Sequence, residues 1–233
     1  MLNATLGQPG GLARACDPAA RVTRSLLGWG AVAGPFYVAV VLGQALLRPG
    51  FDLAHDDASL LSNGGLGWIQ IANFLLTGAM VIACAVGVRR ALGGGAKAGT
   101  WGPLLLGLFG LGMIGAGVFV ADPMSGFPPG TPAGRPESIS LHGTLHIVSA
   151  GIGFLGLAGA CFVIGQRFAG ERRPAWAWFS RVTGVLFLLG FAGLASGSAS
   201  AIVVLAFWAV MLLAWGWLAA VAVNLYRRAG GIA

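Results

Sequence analysis

The sequence predicts an all-α protein, a polytopic membrane bundle of six transmembrane helices, and three observations lead to this prediction. The chain has 233 residues, of which 57% are hydrophobic and only 9% charged, whereas a soluble domain carries about 25% charged residues. Its apolar residues fall into six runs that meet or approach the length of about 20 residues needed to cross a bilayer. Glycines occur inside these runs, where small residues let membrane helices approach closely.

The six runs divide the chain into two short tails and a membrane domain. Residues 1–24 lack sustained periodicity, which predicts a flexible cytoplasmic tail rather than a cleavable signal peptide. The membrane domain is predicted over residues 25–228 and a C-terminal tail over residues 229–233. The predicted spans cover residues 25–47, 68–88, 101–121, 141–166, 176–195 and 201–226. The first should bend at Pro35, and the last two form a hairpin that turns at residues 196–200.

Positively charged residues predict the orientation of the bundle. All but two of the 14 lysines and arginines fall on one side of the six predicted spans, and the exceptions are Arg48 and Arg135. Because lysine and arginine collect in cytoplasmic loops, both termini are predicted in the cytoplasm and the protein in the cell (plasma or inner) membrane. The charges stand singly or in pairs near the span ends, so the expected partner is the lipid bilayer and no nucleic acid.

Cysteine and glycine motifs have simple explanations in an apolar chain. The three cysteines include no C-x-x-C pair, which predicts neither a disulfide nor a cysteine-based zinc site. Cys84 and Cys161 are expected to be small buried hydrophobes, and Cys16 falls in the tail. Residues 110–115 and 151–156 match the G-x-G-x-x-G fingerprint, but neither follows a strand. Both strings are therefore predicted to be helix-packing faces.

Polar residues on the non-cytoplasmic side predict an outward-facing pocket. Gln70, Asn73 and Thr77 recur every three or four residues and form one stripe on the second span. Such a stripe faces the bundle interior, either as the wall of a wet cavity or as a source of interhelical hydrogen bonds. Asp122 ends the third span, where it is equally explained as a helix stop before a proline. Ser59 adds a hydroxyl from the first outer loop.

A histidine pair raises the question of a metal. His142 and His146 share a face near the outer end of the fourth span, and this spacing supplies two metal ligands from one helix. Asp122 and His55 would complete a zinc site, while a proton relay and hydrogen bonding to the loops remain alternatives. The pair lacks the glutamate of H-E-x-x-H. Haem is less expected, because two histidines on one helix face cannot both be axial ligands of the same iron.

The tryptophans divide into two predicted groups. Trp68, Trp101, Trp176 and Trp178 lie near span ends and are expected to be interfacial anchors. The other group, Trp208, Trp215 and Trp217, is predicted to face lipid or to pack between helices.

Four stretches give the chain its resemblance to a known family. They read Ser-Asn-Gly-Gly-Leu-Gly-Trp-Ile-Gln-Ile-Ala-Asn-Phe at 62–74, Gly-Ala-Gly-Val-Phe-Val-Ala-Asp-Pro at 115–123, Phe-Pro-Pro-Gly-Thr-Pro at 127–132 and Leu-His-Gly-Thr-Leu-His at 141–146. Over residues 30–225 the chain resembles the bacterial and archaeal DUF998 membrane proteins, with Val120 and Ala121 where Pro-Thr is expected. The resemblance implies a six-helix membrane domain and implies no reaction.

Three classes of function follow from these patterns. A carrier, channel or binding protein for a small molecule or lipid would use the polar stripe as a cavity wall. A metal-dependent hydrolase would activate water at the membrane surface; here the chain is similar in part to the alkaline ceramidase and adiponectin-receptor group, which has seven spans and its histidine pair in the last. A structural or accessory protein would use the same residues to fix its loops.

Overall fold

The structure, a computed structural model, describes residues 18–93, 97–198 and 200–229. These residues form six long helices: α1 (Pro18–Leu47), α2 (Gly67–Leu92), α3 (Lys97–Val118), α4 (Leu141–Gly170), α5 (Pro174–Ala195) and α6 (Ala201–Ala229). A short 3-10 helix, Ala58–Ser62, lies in the connection between α1 and α2. All six long helices are apolar enough to cross a membrane. The predicted all-α bundle of six spans is thereby confirmed.

The helix limits agree with the predicted spans at some ends and differ at others. The turn between α5 and α6 lies at the predicted position. Helix α1 begins at Pro18, so residues 18–24 are helical rather than part of a flexible tail; proline fits a first helical turn because it lacks an N–H to satisfy. The rest of that tail, residues 1–17, and residues 230–233 lie outside the described part of the chain. Helix α3 ends at Val118, so Asp122 lies beyond the helix rather than at its last turn. Pro123 disfavours a helical conformation at Asp122; nothing in the structure explains why the helix stops at Val118.

The six helices close into a ring. Each helix packs against the next one along the chain, and α6 packs back against α1 and also touches α2. Glycines make the closest approaches: a Cβ added at Gly112 of α3 would lie 2.6 Å from the Cα of Gly153 in α4, and one at Gly78 of α2 would lie 2.6 Å from the carbonyl oxygen of Gly110. These contacts confirm that the two G-x-G-x-x-G strings are packing faces.

The ring has two chemically different ends. One end, here called the long-loop end, carries the connections 48–66 and 119–140 and the α5–α6 turn. The other, the termini end, carries the first residues of α1, the last of α6 and two short connections. Basic residues at this end bond to polar side chains of other helices and connections. Arg24 Nη2 donates to the Tyr226 hydroxyl over 3.1 Å, and Arg228 Nη1 donates to Glu171 over 2.8 Å.

Buried side chains fill the space between the helices. Cys84 and Cys161 are buried free thiols, as predicted, while Cys16 lies outside the described residues. Trp217 is fully buried, and its Nε1 donates to Ser180 Oγ over 2.9 Å. Of the two roles predicted for the later tryptophans, packing therefore applies to Trp217. Trp208 and Trp215 also face the interior of the bundle, where they border the cavity described below.

Candidate functional site

The predicted polar stripe lies in the interface between α1 and α2. Gln70 Oε1 accepts from Gln44 Nε2 over 2.9 Å and from Asn73 Nδ2 over 3.2 Å, and Thr77 Oγ1 donates to Asn73 Oδ1 over 3.2 Å. All four side chains are buried, and Asn73 also donates to the carbonyl oxygen of Tyr37. This group, here called the amide ladder (Gln44, Gln70, Asn73 and Thr77), matches the hydrogen-bonding alternative. None of the four lines the cavity described next.

A cavity of about 640 Å³ lies inside the ring, in the half that faces the long-loop end. All six helices contribute to its lining, as do the two long loops. Most of the wall is apolar, and large side chains dominate it: Phe74, Phe109, Met113, Phe154, Phe191, Phe207, Trp208, Met211 and Trp215. We call it the central cavity. Its size falls within the range of about 300–1,000 Å³ found for small-molecule sites.

One polar atom in the cavity wall has no partner. Trp215 is 4% exposed, and its indole Nε1 makes no hydrogen bond with any residue that the structure describes. Its ring lies among other aromatic rings, 5.3 Å from Tyr37 and 5.5 Å from Phe109 between centroids. A buried N–H normally finds an acceptor, because leaving it unpaired costs about 1–3 kcal/mol. Toward the described residues, the Trp215 N–H is therefore an unsatisfied buried donor within a residue of the cavity wall.

The mouth of the cavity is polar and centres on the start of α4. Ser140 caps this helix by accepting from the Gly143 N–H over 3.0 Å. Asp122 accepts in turn from the Ser140 N–H over 2.8 Å and from its hydroxyl over 2.6 Å. A carboxylate at a helix N-terminus is also favoured by the helix dipole. Asp122 thus connects the loop that follows α3 to the start of α4. It also lines the cavity.

His146 lies one turn further along α4 and is 6% exposed. Its Nδ1 is 2.9 Å from the carbonyl oxygen of Ala116 and 2.8 Å from that of Phe119. Carbonyls at a helix C-terminus lack intrahelical donors, so Nδ1 carries the proton and satisfies the end of α3. This assignment leaves Nε2 as an acceptor in the neutral ring. Among the predicted site residues, His146, Asp122 and Ser59 line the central cavity.

The other two histidines lie apart from that lining. His142 is exposed, and its ring meets Phe119 edge-on with 5.9 Å between centroids. His55 is exposed in the first loop, where its Nδ1 is 2.8 Å from Asp52 Oδ2. Within residues 18–93, 97–198 and 200–229, no three His, Cys, Asp or Glu side chains lie close enough together to hold a metal ion. The predicted zinc set of His142, His146, Asp122 and His55 stays a prediction without geometric support.

The first long loop is held over the cavity by its own hydrogen bonds. Asp57 caps the 3-10 helix by accepting from the Ser59 N–H over 2.9 Å, and it also accepts from the Ser59 hydroxyl. Arg48 donates to the carbonyl oxygens of Leu61 and Asn63, each over 2.5 Å. The loop therefore presents Asp57 and Ser59 to the mouth in a fixed geometry.

Asp56 is the most deeply buried acid of this loop. It is 2% exposed, it accepts from the Asp52 N–H over 2.8 Å, and burial raises its pKa above the usual range. Its carbonyl oxygen also accepts from Trp208 Nε1 over 3.4 Å, which joins the loop to α6 in the cavity wall.

The apolar lining escaped the sequence analysis. Phe109, Met113, Phe154 and Met211 sit in apolar runs, where a side chain that borders a void looks the same as one that packs. Gln44 was also missed, although a lone amide inside an apolar span signals a buried partner.

Comparisons with known proteins give one match. A family model described as a protein of unknown function, DUF998, matches residues 31–224. No curated protein and no solved structure matches the chain.

Proposed function

The chain belongs to the DUF998 family of proteins of unknown function, and from this premise we propose that it binds an amphipathic molecule in the central cavity. The ligand would be a lipid or a small molecule of similar shape. The observation that carries the proposal is a cavity of about 640 Å³ with an aromatic wall and a polar mouth. A void of this kind costs free energy in proportion to its volume, so an occupant would stabilise the bundle.

The wall and mouth favour a particular ligand chemistry. Aromatic and methionine side chains of the wall accept an apolar body. At the mouth, the carboxylates of Asp57, Asp122 and Glu137 outnumber the single guanidinium of Arg135. This balance favours a polar end that is neutral or cationic over an anionic one.

The charge distribution supports an orientation for the site. The described basic residues cluster at the termini end, with only Arg48 and Arg135 at the long-loop end, and lysine and arginine collect on the cytoplasmic side. We therefore propose that both termini are cytoplasmic, that the protein resides in the cell (plasma or inner) membrane, and that the mouth opens on the opposite face.

Binding is favoured over conduction by the packing beyond the cavity. Past Trp215, the α6 residues Leu218, Val221 and Ala222 are at most 1% exposed and belong to the closely packed core. The cavity thus ends within the bundle in this conformation. A carrier would need a second conformation that opens this layer.

Photolabelling from lipid tests the proposal. The protein would be reconstituted with a phosphatidylcholine whose acyl chain ends in a diazirine, and labelled residues would be mapped by mass spectrometry. We expect label on the cavity residue Met113 as well as on Leu111, which is 58% exposed and faces outward. Label restricted to outward-facing residues would contradict the proposal.

Two neighbouring substitutions on α6 provide the matched control. Met211 is 7% exposed and lines the cavity, whereas Leu212 is 50% exposed. Met211→Trp should reduce label at Met113 by roughly tenfold, because overfilling an enclosed site costs about 1–3 kcal/mol. Leu212→Trp adds the same side chain outside and should leave that label unchanged. An equal effect of both variants would show that the label does not report the cavity.

A further inference from the structure

We propose that a second site, an arginine-lined cleft at the termini end, binds a phosphate-bearing anion, either the headgroup of an anionic lipid or free inorganic phosphate. The cleft has a volume of about 560 Å³ and lies between the ends of α1, α2, α4 and α6. Arg90, Arg167 and Arg228, from three different helices, line it. It shares no lining residue with the central cavity.

Hydrogen bonds hold the three arginines in place. Arg90 Nε donates to Thr23 Oγ1 over 3.1 Å, and Thr23 in turn donates to the carbonyl oxygen of Ala19. Arg167 Nε and Arg228 Nη1 donate to the two oxygens of Glu171 over 2.9 and 2.8 Å. Toward the described residues, each arginine uses one guanidinium nitrogen in these bonds. The remaining N–H groups are directed donors that suit the oxygens of a phosphate.

The charge of the cleft is not balanced by its carboxylate. Three guanidinium groups meet one acid, Glu171, which pairs with Arg167 and Arg228. Among the residues that the structure describes, no carboxylate lies within salt-bridge distance of Arg90. Counted over the described residues, the cleft therefore carries an excess of positive charge that an anion would neutralise.

Membrane orientation alone does not account for this arrangement. A positive-inside bias requires basic residues on one side of the bilayer and places no demand on where their side chains converge. Arg89 and Arg227 meet that requirement without lining the cleft, whereas their neighbours Arg90 and Arg228 line it. Alanine and leucine side chains form the rest of the wall beside Thr23. Basic pockets between helices on the cytoplasmic side, where the proposed orientation puts the termini end, suit anionic headgroups.

Lipid retention and phosphate binding test the site on the full-length protein. Detergent-purified protein would be mixed with phosphatidylglycerol or phosphatidylcholine and bound lipid counted by native mass spectrometry; in a second arm, thermal stability would be followed against sodium phosphate at fixed ionic strength. Arg90→Gln should weaken the affinity for phosphatidylglycerol or phosphate about fivefold, which is the effect of one arginine near an anionic surface. Arg89→Gln removes the same charge from the adjacent residue and should leave it unchanged. Arg228→Gln and Arg227→Gln repeat the comparison on α6.

Glu171→Gln gives a test in the opposite direction. Removing the carboxylate should strengthen anion binding, and loss of folding cannot imitate a gain of affinity. Selective retention of phosphatidylglycerol would identify a lipid headgroup as the ligand, and stabilisation by phosphate alone would identify the free ion; either result supports the site. Equal losses in Arg90→Gln and Arg89→Gln, or no response to any phosphate-bearing probe, would overturn it.

Discussion

The amide ladder and the central cavity reverse the relation expected from side-chain polarity. The polar side chains of the ladder pack against one another, whereas mostly apolar side chains border the open space. The ladder is the most polar group within the spans, yet its four side chains are buried and bonded to one another across α1 and α2. The cavity wall is mostly apolar, yet it borders a space of about 640 Å³. In lipid, polar side chains are driven to find partners. A polar stripe therefore marks a helix contact as readily as a pocket.

Side-chain size affects how closely the helices approach one another. Helices α2, α3 and α4 approach through glycines, as at Gly78, Gly110, Gly112 and Gly153. Helices α4, α5 and α6 also meet through phenylalanine rings, with 5.4 Å between the centroids of Phe154 and Phe187 and 5.7 Å between those of Phe154 and Phe207. Small residues bring backbones together and bulky ones keep them apart, and side chains from all six helices border the space that is left.

The largest expected effect compares a packed residue with a cavity-wall residue on α6. Leu218 is 1% exposed in the core, and Leu218→Ala should cost about 2–5 kcal/mol, the usual cost of a new cavity. Met211→Ala should cost well below that, because Met211 already borders empty space. Chemical unfolding or thermal melts of the purified variants would measure both. Equal costs would mean that Met211 is packed and that no cavity adjoins it.

Breaking the amide ladder should lower stability without affecting the cavity. Asn73→Ala removes the partner of Thr77 and Gln70 and leaves the carbonyl of Tyr37 without its donor. We expect a loss of about 1–3 kcal/mol, since unpaired buried polar groups carry that penalty. Photolabel at Met113 should remain. Loss of the label at Met113 in a folded Asn73→Ala variant would mean that the ladder forms part of the cavity wall.

The smallest expected effect is the contribution of Asp56, in the first long loop, to the pH dependence of stability. Burial raises the pKa of Asp56, so its ionisation is resisted in the folded state, and stability should fall as pH rises from below the usual aspartate pKa through the raised one. The ladder contains neutral groups and contributes no such dependence. Asp56 should lower the Tm of the wild type by about 2–4 °C or less as pH rises through this window, and Asp56→Asn should abolish that decrease. The sign would be contradicted if the wild-type Tm rose with pH in this window and the rise were absent from the variant.

The sequence predicted the six spans well, because each span requires one long apolar run and little else. The α5–α6 turn and the glycine packing faces followed from equally local patterns. The central cavity depends on how far apart aromatic faces from six helices stand, which no local pattern records. The two histidines of the predicted pair also have different surroundings, which their spacing does not reveal. His142 is exposed at the start of α4, whereas His146, one turn further into the bundle, reaches the carbonyl oxygens of Ala116 and Phe119 at the end of α3.

Cysteine accessibility tests the contrast between ladder and cavity most directly. Single cysteines at Met113, Met211, Gln70 and Thr77 would be introduced into a chain whose native cysteines are replaced by alanine, and a small cationic thiol reagent would be added from the side of the membrane that the long-loop end faces. We predict that Met113→Cys and Met211→Cys react while Gln70→Cys and Thr77→Cys stay protected, because only the first two positions line a cavity that opens at the acidic mouth. Reaction at Gln70→Cys and Thr77→Cys with protection at both methionine positions would contradict the account.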